Sequence, residues 1–399
     1  MKKLFLLYLF IAGQSFPLSG QTNRHVVLVI IDGARYSETL GDSLVRFVPR
    51  MHALAQQGVV VDSMINDSIT VTARAIPAIW SGSWSIPKDT TVNGYANQYA
   101  TAPTVWEYFR KSRGVDSTQA MYIMKVLNSP WIQSFHPDYG PRYWPWYLLQ
   151  GVTDVDVWVN AKAKLQSYHP ALSVIYLPDV DAAPARGWIA YAEAIATADS
   201  IVGKLWEFLQ SDPVFKNTTT LLVTNDHGRH LDSVKNGFVS HGDGCWGCRH
   251  IMFLGVGAAL EKGIHISGRH AIPDITPTIG SLLQFPTPYA TGKPMLVLLT
   301  NFRADDATRT FPVTTSLNQN YPNPFNPTTM INYQLAMNGL VILKVYDILG
   351  REVAELVNKE ETPGSHSVQW DASRFSSGIY LCRMSTGGFV GAKKLILMK

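Results

Sequence analysis

The run His25–Ile31 (HVVLVII) shows no polar alternation and is rich in β-branched residues, which predicts a strand covered on both faces. Similar apolar runs recur at Val59–Ile65, Ala120–Lys125, Leu172–Leu177, Thr219–Thr224 and His250–Val256. Between them, helical spacing runs over Ser43–Gln57, Thr104–Ser112, Trp158–Tyr168, Trp188–Gln210 and Pro273–Leu283. Strands alternating with helices predict βαβ units, hence an α/β fold with a mainly parallel sheet sandwiched by helices. Near the C-terminus the period changes. Met330–Leu335, Val341–Tyr346, His366–Trp370, Ile379–Met384 and Ala392–Met398 are short runs separated by turn signals such as Leu349–Gly350, Pro363–Gly364 and Ser377–Gly378. They predict a small all-β sandwich. Polar Phe302–Ser316 reads as a linker.

The first residues obey a different logic. Met1–Lys3 is basic, Leu4–Ala12 is apolar, and small polar residues continue through Ser19–Gly20–Gln21. This is the three-part layout of a secretory signal with cleavage near Gly20 or Gln21. The apolar run is far shorter than the roughly 20 residues that span a bilayer. No later segment reads as a membrane helix. The expected organisation is a signal peptide over 1–20, an α/β domain over 21–300, a linker over 301–316 and a sandwich over 317–399.

Composition narrows the chemistry. The chain has 399 residues, 46% hydrophobic and 16% charged, enough to bury a sizeable core. Its 34 basic and 30 acidic residues give +4; without Lys2 and Lys3 the balance is 32 against 30, or +2. That is too weak and too dispersed for nucleic-acid binding through a basic field. Three cysteines exclude a disulfide-dense scaffold and a Cys-rich zinc module. Cys245-Trp-Gly-Cys248 lacks a second pair for a zinc site, and in an exported chain it reads as a local disulfide rather than a redox motif.

The segments just past the strands are acidic or imidazole-bearing. Asp32–Gly33 succeeds the first strand, Asp179 and Asp181 come after Leu172–Leu177, and Asp226–His227–Gly228 comes after Thr219–Thr224; His241–Gly242–Asp243 lies further on. Active sites of parallel sheets lie at the carboxyl ends of the strands. One such Asp alone is ordinarily a cap or a turn residue. Several converging on one sheet edge repel one another unless a cation neutralises them. Carboxylate oxygen mixed with imidazole nitrogen suits Zn²⁺ best, with Mn²⁺ or Fe as alternatives.

The ordered set Asp32, Thr72, Asp181, Asp226–His227, His241 resembles the alkaline phosphatase superfamily, closest to its nucleotide pyrophosphatase/phosphodiesterase branch. The resemblance rests on VVLVIIDGAR (Val26–Arg35), on Thr72-Ala-Arg-Ala-Ile-Pro-Ala-Ile-Trp-Ser-Gly82, on Thr224-Asn-Asp226-His227-Gly228, on Ser240-His241-Gly242 and on Pro273-Asp-Ile-Thr-Pro-Thr278. It spans about Arg24 to Thr300. It implies a metal-dependent phosphoesterase with two divalent ions. Thr72 would be the nucleophile, sharing one ion with Asp32, Asp226 and His227, while Asp181 and His241 would hold the other. Thr72 would pass through a phospho-threonine, and Arg74 could bind phosphate. From the residues alone, Thr72 is also readable as a helix N-cap, with Thr70 as a nearby competitor for the nucleophile.

One departure stands out. The family places a His about four residues after the Asp of its third motif, as D-x-x-x-H. Here Asp179-Val-Asp181-Ala-Ala-Pro-Ala-Arg-Gly187 contains none, and Ala185 (Ala183, if Asp179 is the ligand) occupies the position. Three explanations are open: another His such as His230 or His169 reaches in, the second metal binds weakly, or catalysis is impaired. The aromatic segment Tyr139–Tyr147 (YGPRYWPWY) is readable as a pocket lining or as a cap packed on the core. The stretches Ile86–Pro103 and Asn128–Thr153 carry no readable specificity code.

YPNPFNPTT, Val345–Val353 (VYDILGREV), SSGIYLCRM and the terminal KKLILMK resemble the type A sorting domain of the bacterial type IX secretion system, over about Ser316–Lys399. That implies an export signal without chemistry, the type IX machinery as partner, and a secreted or cell-surface protein of a Gram-negative bacterium. The competing functions are a sulfatase, which needs Cys or Ser where Thr72 stands, and a non-catalytic binding protein on the same scaffold.

Overall fold

The computed structural model describes residues 23–92, 94–126, 131, 133–299, 315–335, 339–361, 364–386 and 389–399. The expected signal peptide and nearly all of the expected linker lie outside them. Eight strands form one sheet in the order Ile264–Ile266, Val59–Val61, Phe253–Gly257, Thr219–Thr224, His25–Ile31, Leu172–Leu177, Ala120–Met124, Trp146–Leu149. Phe253–Gly257 runs antiparallel to both neighbours; the other pairs are parallel. The sheet is mainly parallel, as the alternating pattern predicts. Successive residues of the central strand feed opposite cores. Val26, Leu28 and Ile30 pack with the helices Thr72–Ser81 and Val105–Arg113, whereas Val27, Val29 and Ile31 pack with Asp154–Tyr168 and Trp188–Ser211. An unbroken apolar run with no polar face is what burial on both sides requires.

Boundaries differ where local chemistry overrides periodicity. The first helix spans Pro49–Ala55, not Ser43–Gln57. The Asp42 carboxylate accepts hydrogen bonds from the Leu44 and Arg46 amides, at 3.3 and 2.7 Å, and Val45 takes a left-handed φ of 54°, so a turn precedes the helix. Pro49 then supplies a preset φ for the first turn. Val59–Ile65 is two strands, Val59–Val61 and Met64–Ile65, the second pairing with His270–Ala271. The strand expected over His250–Val256 begins at Phe253. The stretch Ile86–Pro103 holds a hairpin, Lys88–Val92 with Tyr95–Tyr99.

Buried Glu107 fastens the inserted segment to the core. Its Oε2 accepts from the Thr104 amide (2.6 Å) and hydroxyl (2.8 Å), and its Oε1 accepts from the Ser134 hydroxyl (2.9 Å) and amide (3.3 Å). Burial pushes this carboxyl up to about 7. Glu107→Ala strands those donors in the interior and is expected to lower unfolding free energy by about 2–4 kcal/mol, read from urea denaturation. The aromatic segment packs on the same region: Arg110 donates to the Arg142 and Trp144 carbonyls, and Tyr139 meets Tyr108 edge-on at 5.4 Å. The segment YGPRYWPWY thus packs on the core.

The C-terminal residues form two antiparallel sheets. Three strands are ordered Ser316–Leu317, Thr328–Leu335, Gly364–Asp371, and four are ordered Glu352–Glu361, Gly339–Tyr346, Gly378–Thr386, Phe389–Leu397. Alternate positions, such as Ile331, Tyr333 and Leu335 opposite Val341, Leu343 and Val345, fill a core of their own. The charged edge strand Glu352–Glu361 (EVAELVNKEE) is missing from the sequence expectation, because it buries little beyond Val357 and carries no alternating pattern.

Candidate metal centre and active site

In-register pairing brings the functional segments to one edge. Ile31 lies beside Leu177, and Ile30 beside Thr224, so Asp32, the turn Asp179–Ala182 and Asp226 leave adjacent strands together. Gly33 follows Asp32 with φ +67, and a Cβ there would stand 2.6 Å from Asp181 Oδ1; the turn needs a glycine on both counts. Thr72 opens the ten-residue helix Thr72–Ser81, which Gly82 ends at φ +70 with its amide on the Ala78 carbonyl at 2.9 Å. The Thr-to-Gly spacing is therefore the length of one helix, from first residue to left-handed cap. Thr70 is buried, and its hydroxyl donates to the Asp243 carbonyl at 2.7 Å.

Thr72 Oγ1 lies 3.1 Å from His227 Nε2 and 3.4 Å from Asp32 Oδ1. His227 Nε2 is 3.5 Å from both Asp32 Oδ1 and Asp226 Oδ2. Asp226 Oδ1 accepts from the Gly33 and His227 amides at 3.2 and 2.9 Å, whereas Oδ2 is buried without a hydrogen-bond partner among the described residues. Asp32 Oδ2 accepts from the Tyr176 hydroxyl. Burial raises the Asp32 carboxyl, and the neighbouring Asp226 and Asp181 carboxylates raise it further. Burial also lifts Asp226, to about 7. Two buried acids sharing an imidazole, one with an unsatisfied oxygen, fit a divalent cation. Asp32, Asp226 and His227 place ligand atoms within 4.8 Å of one another.

The second group is more open. His241 Nε2 lies 3.4 Å from Asp181 Oδ1, its Nδ1 is 3.1 Å from the Thr70 carbonyl, and its ring stacks on His227 at 4.0 Å. Burial lowers its pKa. Asp181, His227 and His241 also fall within 4.8 Å of one another. Asp181, however, already has a cationic partner. Buried Arg229 donates through Nη2 to the Asp181 side chain and, at 2.7 Å, to its carbonyl, while Nε donates to the Gly33 carbonyl at 3.1 Å. Asp179 turns away, accepting from Lys125 Nζ and the Asp154 amide.

Neither alternative histidine reaches the site. His169 pairs with Asp212 at 3.2 Å, and His230 faces Cys245, Cys248 and Asp243. Cys245 and Cys248 are free thiols, so the local disulfide expected from their spacing is not formed. Arg74 sits half-buried on the first turn after Thr72 and makes no ion pair among the described residues. Sequence reasoning missed Arg229 and Tyr176. The only signal for Arg229 was its place right after Asp226-His227-Gly228; Tyr176, inside an apolar run, gave none.

A mainly parallel sheet gathers carboxylates and imidazoles at its carboxyl edge, the arrangement that the resemblance to the alkaline phosphatase superfamily implies. A family model for type I phosphodiesterase / nucleotide pyrophosphatase matches residues 26–231, just over half of the chain, and the chain belongs to that family. The match ends before His241. Residues 319–398 match a secretion system C-terminal sorting domain. Among solved structures, murine ectonucleotide pyrophosphatase / phosphodiesterase 5, in an inactive form in complex with AMP, has a TM-score of 0.50 at 14% identity, covering 68% of this chain and 97% of its own. A putative sulfatase from Bacteroides thetaiotaomicron reaches 0.55 at 11% identity, covering 88% and 86%. These likenesses establish the fold. No curated protein sequence matches the chain. Among the described residues, no helix is long and apolar enough to cross a membrane.

Proposed function

We propose that this protein is an exported, metal-dependent phosphoesterase that cleaves phosphodiester or phosphomonoester bonds through a phospho-threonine on Thr72. The observation that carries the reading is the Thr72 hydroxyl at the head of a helix, 3.1 Å from His227 Nε2, beside a buried Asp32–Asp226 pair. Asp32, Thr72, Asp226 and His227 would hold a divalent ion, with zinc the best match to the donors and Mn or Fe as alternatives. When bound, the ion supplies charge that makes the Thr72 alkoxide accessible and stabilises developing negative charge on phosphate.

The chain's own residues supply the rest. Val71 caps the helix without a side-chain hydrogen bond, so the first amides face an incoming anion. Arg74, on the same turn, would bind a phosphate oxygen. Thr72 Oγ1 attacks phosphorus, the ester P–O bond breaks, and the alcohol departs with a proton. Water then attacks the phosphorus on Thr72, restoring the hydroxyl and releasing phosphate from a monoester or a phosphomonoester from a diester. Asp181 and His241 are the remaining pair for a second ion. We infer that the Arg229 guanidinium takes that cation's part: three carboxylates against one guanidinium leave a formal charge of −2, which one divalent ion cancels. Arg229→Gln is expected to lower kcat/KM about 100-fold while circular dichroism stays native.

The C-terminal unit, proposed as 317–399 after a 301–316 linker, would hand the chain to the type IX secretion machinery once the 1–20 signal has directed it to the periplasm. The deciding assay is hydrolysis of bis-p-nitrophenyl phosphate and p-nitrophenyl phosphate by the mature protein, with and without added zinc. Turnover that needs metal supports the proposal. A second reading, a protein that binds phosphate esters without turnover, is favoured by Ala185 standing where the family's motif has a histidine, four residues after Asp181. Ligand binding with no hydrolysis of either ester under any metal would select it.

A further inference from the structure

We propose that His230, Asp243, Cys245 and Cys248 form a second metal site, a four-ligand zinc centre that pins the loop carrying the active-site residues. Their ligand atoms lie within 4.8 Å of one another. His230 Nδ1 is 3.4 Å from Cys245 Sγ, 3.3 Å from Cys248 Sγ and 3.2 Å from Asp243 Oδ1. A single imidazole nitrogen has either one proton or one lone pair, so it can satisfy only one of those three neighbours. Their convergence on it is the geometry of atoms arranged around a shared centre. With zinc bonds of about 2.3 Å to sulfur and about 2.0–2.1 Å to nitrogen and oxygen, a tetrahedron has edges of about 3.3–3.8 Å. The separations from His230 Nδ1, 3.2 Å to oxygen and 3.3–3.4 Å to sulfur, lie within about 0.3 Å of the corresponding edges.

The donor set is also right for the ion. Two sulfurs, one imidazole nitrogen and one carboxylate oxygen select a borderline-soft metal and disfavour calcium or magnesium. His230 and Cys248 are buried, while Asp243 and Cys245 are part-exposed, which leaves a path from solvent. Binding converts two thiols to thiolates and releases two protons, with no change of oxidation state. Two thiolates and a carboxylate then face Zn²⁺ and Lys235, whose Nζ is 2.8 Å from Asp243 Oδ2, so the cluster is formally neutral.

Position gives the site its consequence. Between the strand ending at Thr224 and Phe253 lie Asp226, His227, Arg229 and His241, in a stretch whose regular elements among the described residues are two short helical turns. The cluster ties that stretch at both ends. The Gly228 amide donates to the Cys248 carbonyl at 2.8 Å, the His230 amide to the Ser240 carbonyl at 3.0 Å, and Arg35 Nη1 to the His230 carbonyl at 2.7 Å. A cross-link there holds the imidazole and guanidinium of the phosphate site without touching substrate. In this sense it is a positioning site.

The proposal does not rest on the phosphoesterase reading, because the active-site ligand set contains no sulfur. The test uses the full mature chain, purified under reducing conditions and loaded with Co²⁺ in place of its metal. A sulfur-to-cobalt charge-transfer band is expected in the near ultraviolet. It should be absent from Cys245→Ser/Cys248→Ser, which should bind one ion fewer per chain. A folded wild-type protein without that band, or with a Cys245–Cys248 disulfide as exported, overturns the proposal. If the double variant fails to fold, the wild-type cobalt spectrum decides alone. Loss of ester hydrolysis with the band intact would count against the phosphoesterase and leave this site standing.

Discussion

Thr72→Ala is expected to abolish ester hydrolysis, with kcat falling by about 10⁴-fold or more. No described side chain takes over as nucleophile at that place. Thr70, two residues away, spends its hydroxyl on the Asp243 carbonyl at 2.7 Å. The same substitution should leave the fold intact. Thr72 is the first helical residue, not the cap, and its hydroxyl faces the metal-ligand cluster rather than the helix backbone. Removing it exchanges a poor helix former for the best one, worth no more than about 0.5 kcal/mol either way. Activity and stability therefore separate at this position. Two further measurements sharpen the test. Thr72→Ser retains a hydroxyl and should retain measurable turnover, and acid quenching of the wild-type reaction should leave phosphate on the peptide containing Thr72. Undiminished hydrolysis by Thr72→Ala would remove Thr72 from the chemistry.

Much of this site was legible because strand ends and helix ends are local events. His25–Ile31, Leu172–Leu177 and Thr219–Thr224 are buried on both faces, so their apolar runs stop abruptly at Asp32, at Asp179–Asp181 and at Asp226. The parallel sheet does the convergence without further instruction. The Thr72–Gly82 spacing was legible for the same reason, being one helix with its glycine cap. The hidden part consists of side chains whose roles depend on long-range placement. Arg229 neutralises Asp181, 48 residues earlier in the chain. Tyr176 occupies a position that any apolar strand residue could hold, and only the folded sheet sets its hydroxyl on Asp32. Burial raises the pKa of that phenol well above its ordinary value, so it remains a donor to the carboxylate. His230 shows the converse: a histidine close in sequence to the metal motif that turns to a different set of ligands.

Stripping metal from the protein should make its stability fall as pH rises, and restoring metal should reverse that trend. In the absence of a cation, burial holds Asp226 at about 7, against 3.8 for a free side chain, and Asp32 moves in the same direction. A carboxyl raised on folding binds its proton more tightly in the native state. The resulting stabilisation is complete below pH 3.8 and is lost as pH climbs through about 7, where two adjacent buried acids must ionise beside Asp181. Chelated protein should therefore melt several degrees lower at pH 8 than at pH 5.5. A divalent ion competes with those protons for the same oxygens, so its affinity rises over the same interval. The melting-temperature gain on adding zinc should be small at pH 5.5 and large at pH 8. Asp226→Asn, which cannot ionise and loses one ligand oxygen, should weaken both dependences and abolish turnover. A metal-free protein whose stability is level or rising between pH 5.5 and 8 would mean that Asp32 and Asp226 are not held as a buried pair awaiting a cation.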